Sequence, residues 1–541
     1  MSLLDDVSIV VTPNGYKAGE LYAVIPSDGA ADMDVTRATA ATRVDENGLV
    51  NYAEILGSEE IDCGDFECAS PLTDWSFIGT TEISGGTANF PDITNSFLIQ
   101  NFVVDLTIKT YKLSYEVVTT NGGNFRLAGG NSAFGLLTLD SATVGVKTKY
   151  ITSNGTKQNL QFNNNTFIGS ISNVSVKEVT RDNVPRIDYT GGGCPHILAE
   201  PMRTNLITYS EEISQYSDTN TTVIPDDTTS PDGTVNASKV TKDGANANDR
   251  VYINNFVILN ATDYSLSVFI KNDDIVNGGV STISARISGG TLFRQGYEWN
   301  GSTLSITSSQ ASGTRTNVLL EDYGNGWWKV GFSFTSDGTS ADIEFDLDRI
   351  NGTDTTAIFL WGTQLEVGSY ATSYIPNFGT ALGVTRNQDI FTRDGIGSLI
   401  NSTEGVLFVE MAALSDDSTD RVMSLSDGTN NHRILLAYTS TTNQIQAFHN
   451  DNVSPVNLVF TVSDVTDFHK VAFKYKVNDF ALWVDGVEVA TNNTKGVNMA
   501  NTLNELKFEN ASGTNVFYGK VKQLQVFKTA LTDPELATLT T

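Results

Sequence analysis

The sequence predicts an all-β chain, a row of β-sandwiches behind a short N-terminal segment. Three observations carry this. Charged residues make up only 18% of the 541 residues, and Gly, Ser, Thr and Asn fill the gaps between short apolar runs, a composition that suits many strands and turns. Runs such as YKLSYEV at 111–117 alternate apolar and polar residues, the period of a strand with one wet face. Turn pairs such as Asn47-Gly48 and Asp485-Gly486 punctuate these runs, as in hairpins. The length fits roughly three or four domains of about 150 residues.

Residues 1–58 hold VSIVV at 7–11 and LYAVI at 21–25 around a Pro13-Asn14-Gly15 turn, followed by Arg37 and Arg43 spaced by small residues. This is too little apolar surface for a separate core, so the segment is expected to gain its order by docking and is read as an attachment segment. Residues 59–180 form a first sandwich, closed by FIGSISNVSVKEV at 167–179.

The connector 181–206 carries Pro185, Pro195, Pro201 and the run Gly191-Gly192-Gly193, which rules out a helix or an interior strand. It also holds Ile187, Tyr189, Ile197, Leu198 and Met202, too many apolar groups for a free linker. An ordered strap is expected, laid between the first two sandwiches or against a neighbouring subunit. Arg186 and Arg203 should pair with carboxylates, and the glycines should make a sharp bend.

Residues 207–378 form a second sandwich. YSLSVFIK at 264–271 mirrors the alternating run of the first, and IFLWGTQLEV at 358–367 mirrors its closing strand, an internal duplication by pattern. In YGNGWWKVGFSF at 323–334, alternation puts Trp328, Val330, Phe332 and Phe334 inside and leaves Trp327 with Lys329 outside. A second connector, 379–400, carries the threonine-arginine pairs Thr385-Arg386 and Thr392-Arg393. Residues 401–541 make the last sandwich, opening with GVLFVEMAAL and turning at Asp485-Gly486. It ends in a short helix that Thr532 and Glu535 cap around Pro534.

The formal charge is −29, from 34 basic and 63 acidic residues. A field of that sign repels phosphate backbones and argues against nucleic acid as a partner. No run approaches the length of a membrane span. The start MSLLDDVSIV lacks the basic flank of a signal peptide, so the chain is expected to be made in a cytosol. Cys63 and Cys68 are close enough in sequence to pair across a tight loop, but free thiols are accordingly expected at Cys63, Cys68 and Cys194.

The four histidines, His196, His432, His449 and His469, stand far apart and outside metal-ligand spacings. Phosphate-loop and dinucleotide fingerprints are absent. Paired carboxylates, Asp346 with Asp348 or Glu211 with Glu212, have the residue types of glycosidase work but read more simply as strand-edge or turn residues, and no enzymatic activity is expected. Sugar rings stack on flat apolar faces, which makes Trp327 and Trp483 the candidate ligand-binding residues. The competing reading is that both cover a neighbouring loop or domain. No cofactor is expected, and the metal question stays open. Acidic loops such as that of Asp416, Asp417 and Asp420 suggest a loop-tying calcium, without EF-hand spacing.

Some stretches resemble known families. The two sandwiches at 59–180 and 207–378 look like jelly-roll modules of the carbohydrate-binding type. GVLFVEM, LWVDGVEV and YGKVKQLQVFKTALTDPEL in the last one resemble the laminin G-like, concanavalin A-like superfamily. The order of TRATAATRVDENGLV, then PRIDYTGGGCPHILAEPMRTNLITYSEEI, then WGTQLEVGSYATSYIPN is similar to structural proteins of tailed bacteriophages. The resemblance implies tandem jelly rolls in a fibre, tail or head-decoration protein on the virion surface. It implies attachment to other virion proteins through 1–58, homo-oligomerisation and contact with host glycan. The alternative is a secreted bacterial glycan-binding protein or polysaccharide-degrading enzyme.

Overall fold

The computed structural model describes residues 6–541 apart from 94, 102–106, 129–131, 140, 142, 156–158, 244–248, 310, 348–355 and 500. It is nearly all β and falls into two compact units: Glu54–Arg181, and Met1–Ala53 together with Asp182–Thr541.

The unit Glu54–Arg181 is the first sandwich. One sheet runs in the order Leu137–Leu139, Phe125–Leu127, Asn159–Asn163, Phe97–Asn101, Trp75–Ile78. The other runs Gly145–Thr152, Thr110–Thr120, Gly169–Thr180, Thr87–Phe90, Glu82–Ser84. As alternation requires, Tyr111, Leu113, Tyr115 and Val117 face the core while Lys112, Ser114 and Glu116 do not. Cys63 and Cys68 are joined in a disulfide, which corrects the expectation of free thiols. Left-handed backbone at Cys63 and Phe66 folds the short loop back on itself and brings the two Cα atoms to 5.7 Å. Cys194 is free and exposed.

The second sandwich repeats that topology strand for strand. Its sheets run Thr303–Thr307, Leu292–Asn300, Val280–Ile287, Ser340–Asp346, Arg250–Val257, Ser217–Thr219, and Thr316–Asp322, Trp327–Thr335, Asp263–Asn272, Ala357–Val367, Val235–Lys242, Thr221–Thr229. Among the described residues, Thr303–Thr307 and Thr316–Asp322, each added at a sheet edge, lack a counterpart in the first.

The last sandwich is discontinuous in sequence. Val7–Lys17 pairs on one side with Glu20–Ile25 and on the other with Gly519–Phe527, with Val11 opposite Leu524 and Val7 opposite Phe527. Met33–Thr36 pairs with Ile390–Arg393, which in turn pairs with Glu505–Lys507. Connector strand His196–Ala199 lies along Val521 to Gly519. Ile9, Val11, Leu21, Met33, Val35, Ile187 and Ile197 share one core with Leu407, Val409, Phe473 and Leu524. The N-terminal segment therefore docks, as expected of a stretch without its own core, but on this chain's own C-terminal sandwich. Residues 7–36 are therefore strands of the last sandwich rather than a segment standing apart from it. This corrects the boundary at 401, because the C-terminal strands close their core only with the help of residues 7–36, 187–199 and 390–400.

The connector is an ordered strap within this unit. Ile187–Asp188 and His196–Ala199 form a hairpin whose tip is Gly191, Gly192 and Gly193, with φ of 84°, 73° and 75°. Ile187, Ile197 and Leu198 are buried, but Met202 is 59% exposed. Arg186 meets carboxylates as expected. Arg203 meets none among the described residues: its guanidinium lies over the Tyr370 ring at 5.2 Å and donates to the Met202 carbonyl. The hairpin at Asp485-Gly486 and the capping box of Thr532 with Glu535 on helix Asp533–Thr540 form as read.

Candidate functional site

Chain segments far apart in sequence converge where the second sandwich meets the C-terminal one. Arg37, Arg186 and Arg386, from three of the arginine-bearing stretches, are fully buried there with Glu200 and Asp389. Arg37 Nη1 donates to Asp389 Oδ1 at 2.7 Å, and Arg186 bridges Asp389 and Glu200. Arg386 Nη1 lies 2.8 Å from Glu200 Oε2, which also accepts from the Ser373 hydroxyl at 2.7 Å. Backbone carbonyls of Thr39, Val184 and Pro201 take up further guanidinium donors.

Burial alone would raise the Glu200 and Asp389 carboxyls. The guanidiniums of Arg386 and Arg186 around Glu200, and of Arg186 and Arg37 around Asp389, instead hold both below the usual carboxylate range. Charges taken out of water are tolerated only when paired and hydrogen-bonded, and here nearly every group is.

Above this knot lies an open cleft of about 720 Å³. One wall is the hairpin tip, with Tyr189, Thr190 and the three glycines; another is the Asp45–Gly48 turn; a third is Glu321 to Gly324 of the second sandwich; and Lys520 reaches in from the C-terminal sandwich. A smaller cavity of about 90 Å³ shares Thr190, Glu321, Tyr323 and Lys520 and extends to Asp188 and Glu200. The walls are braced. Asp188 accepts from the Val44 and Thr190 amides at 2.9 and 2.8 Å. Asp45 accepts from the Asn47 and Leu49 amides and from Asn51, and Asp322 from the Gly324 amide.

The Tyr323 ring packs edge-on to Phe269, with centroids 4.9 Å apart. Burial, then the charges of Glu321, Asp188 and Glu200, push its hydroxyl well above the ordinary tyrosine value. Behind the hairpin, burial drives the His196 imidazole down to about 4, against the pull of Asp188.

The two tryptophans singled out in sequence are elsewhere. Trp327 points away from the sandwich core as alternation predicts, but it is only 2% exposed. Val50 of the N-terminal segment, with Phe269, Trp361 and Tyr374, makes a second apolar layer over it, and its indole N–H donates to the Thr229 carbonyl at 3.0 Å. Lys329 on the same face is also buried and donates to the Thr372 carbonyl. Trp483 is 7% exposed and sits with Phe408, Leu531 and Leu536 of the C-terminal helix region. The indoles cover neighbouring segments, and neither offers a free ring face as a ligand platform.

Of the carboxylate pairs, Glu211 is buried against Tyr374 and Asn236. Asp346 is held by Thr282 and Arg294, and Asp348 lies outside the described residues. Asp416, Asp417 and Asp420 bond to the Asn443 amide, to Arg421 and to the Ser440 amide respectively. The outward face of the Arg250–Val257, Ser340–Asp346 and Val280–Ile287 sheet is closed by its own charges, since Arg250, Arg286 and Arg294 all reach Glu344 at 3.0–3.3 Å. Among the described residues one group has metal-ligand proximity, Cys63, Cys68 and Asp74, and its two sulfurs are spent in the disulfide.

Residues 407–537 match the concanavalin A-like lectin/glucanases superfamily. Among solved structures, the chain is similar to the CBM40 of Ruminococcus gnavus IT-sialidase bound to α2,3-sialyllactose, at 17% identity and a TM-score of 0.24, covering 26% of this chain and 84% of that one. The tandem CBM22 domains of Paenibacillus barcinonensis Xyn10C align at 9% identity and a TM-score of 0.21, covering 58% and 98%. Mouse laminin α1 domains LG4-5 align at 13% and 0.19, covering 53% and 88%. Comparison with curated proteins returned no match.

Proposed function

We propose that this chain is a non-catalytic component of a phage particle surface, of fibre, tail or head-decoration type, present in several copies and contacting glycan through the cleft at the sandwich junction. The observation that carries the binding role is the cleft itself. It is wide enough for a few sugar residues, it is lined by Tyr189, Tyr323, Glu321 and Lys520, and its walls are braced by hydrogen bonds and by the buried ion knot beneath. Such pre-formed sites lose little entropy on binding. The lectin-superfamily match over 407–537 supports the glycan role, and the phage-like order of sequence pieces is what suggests the setting.

The test is a glycan array with the purified chain and Tyr189→Ala. Retention of some glycan class by the wild type and its loss by at least about tenfold in the variant, a change of about 1.4 kcal/mol, is expected. No retention on any glycan, or equal retention by the variant, overturns the binding role. Recovery of the chain from purified virions by mass spectrometry tests the setting.

The Cys63–Cys68 disulfide is equally at home in a second reading, a secreted bacterial glycan-binding protein, since such bonds persist in oxidising compartments. Virion surfaces share that property, so finding the chain in particles or in culture medium of uninfected cells decides between them.

A further inference from the structure

Glu321 and Lys520 stand out in the cleft. They come from different sandwiches, each is half-buried, and both line the outer cleft and the smaller cavity behind it. Opposite charges placed in one concavity ordinarily pair. Among the described residues, however, neither side chain has a hydrogen bond or an ion pair, while the other charges of the cleft are engaged. Asp45 and Asp322 cap their own turns, and Glu46 leans on Arg43 at 3.7 Å. Around the opening stand four carboxylates, Asp45, Glu46, Glu321 and Asp322, against the single ammonium of Lys520. A concave site lined by one sign of charge concentrates the opposite sign and repels its own.

Resting on the glycan reading above, we infer that the cleft takes a glycan bearing an unsubstituted amino sugar. The sugar's ammonium is held by Glu321, and its hydroxyls accept from Lys520 and lie along Tyr189 and Tyr323. A charge-assisted N–H···O contact is roughly twice as strong as a neutral one. An N-acetyl group at the same place keeps the ring's shape and loses that contact. Uronic acids and sulfated sugars bring a charge that the carboxylates oppose.

Calorimetric titration of the full chain with three probes of matched length tests this: chitosan oligomers, their fully N-acetylated counterparts and oligogalacturonate. The inference expects the chitosan oligomer to bind at least about tenfold more tightly than the acetylated one, with a preference that shrinks at high salt, and oligogalacturonate not to bind. Glu321→Gln should erase the preference, and Lys520→Gln should strengthen chitosan binding by removing a like charge. A merely misfolded variant would not gain affinity. Equal binding of the amine and acetyl probes, binding of oligogalacturonate in the cleft, or a preference untouched by Glu321→Gln overturns the amino-sugar assignment while leaving a glycan role standing. Failure of every probe here, together with every sugar on the array, removes both.

Discussion

Glu211 shows how far one buried group moves from its solution behaviour. Burial, and then the charge of Asp232, push its carboxyl up to about 8. Its Oε1 accepts from the Tyr374 hydroxyl at 3.0 Å and Oε2 from Asn236 Nδ2 at 3.0 Å, while Asn236 Oδ1 is buried without a partner. A carboxyl raised in the folded state favours folding below its unfolded value of about 4.3 and loses that contribution as pH rises towards 8. Glu211→Gln should therefore flatten the stability profile between those limits. At pH 8 it should stabilise the second sandwich by on the order of 1–2 kcal/mol, because the new amide also has a donor for Asn236 Oδ1. Chemical denaturation at pH 5 and pH 8 checks this, and an unchanged difference between the two pH values would contradict it.

The ion knot behaves with the opposite sign. Glu200 and Asp389 are held low, so their contribution is present above the unfolded values and lost as pH falls below about 4. Arg186→Met leaves both carboxylates buried with less compensation and should cost about 3–5 kcal/mol. Arg186→Lys should recover little of it, since one ammonium cannot bridge both partners as the guanidinium fork does.

At the scale of elements, alternation told which way side chains point but not what lies beyond the sheet. Trp327 and Lys329 do face away from the core of the second sandwich. The outer face is nonetheless dry, because Val50 arrives from the distant N-terminal segment and Tyr374 from beyond the closing strand Ala357–Val367. No local pattern announces that. Trp483 was legible in the same partial way, with its covering helix plainly capped in the sequence but its landing place not. The connector was the better case, since prolines beside buried-type apolar residues leave little choice but an ordered strap. Its glycines have positive φ and open space around them, so Gly192→Ala should cost about 1–2 kcal/mol from backbone alone, measured as a lower melting temperature without loss of the hairpin's protection from proteolysis between 185 and 203. The cleft residues gave no signal at all. Asp45, Tyr189, Glu321 and Lys520 share no spacing, and they meet only because four segments cross at one place.

For the whole molecule, the duplication and the three sandwiches were visible in pattern, and the closure of the last one was not. Weak apolar content in 1–58 correctly said that these residues need a partner. It could not say that the partner is strand Gly519–Phe527, because a strand's edge carries no address in sequence. Residues 7–36 supply Ile9, Val11, Leu21, Met33 and Val35 to the shared core, at about 1.5–3 kcal/mol for each large side chain fully buried. Removing 1–53 should thus leave a C-terminal sandwich that aggregates or melts rather than one that merely fails to dock. Hydrogen exchange on the isolated full-length chain tests this most directly, by comparing amides in Val7–Lys17 with those in Gly519–Phe527. Protection of Val10 and Val11 that matches Leu524 and Val526, and opens in one cooperative step with them, is what a shared sheet requires. Fast exchange across 7–11 while 519–527 stays protected would show a tail awaiting an outside partner and contradict the account.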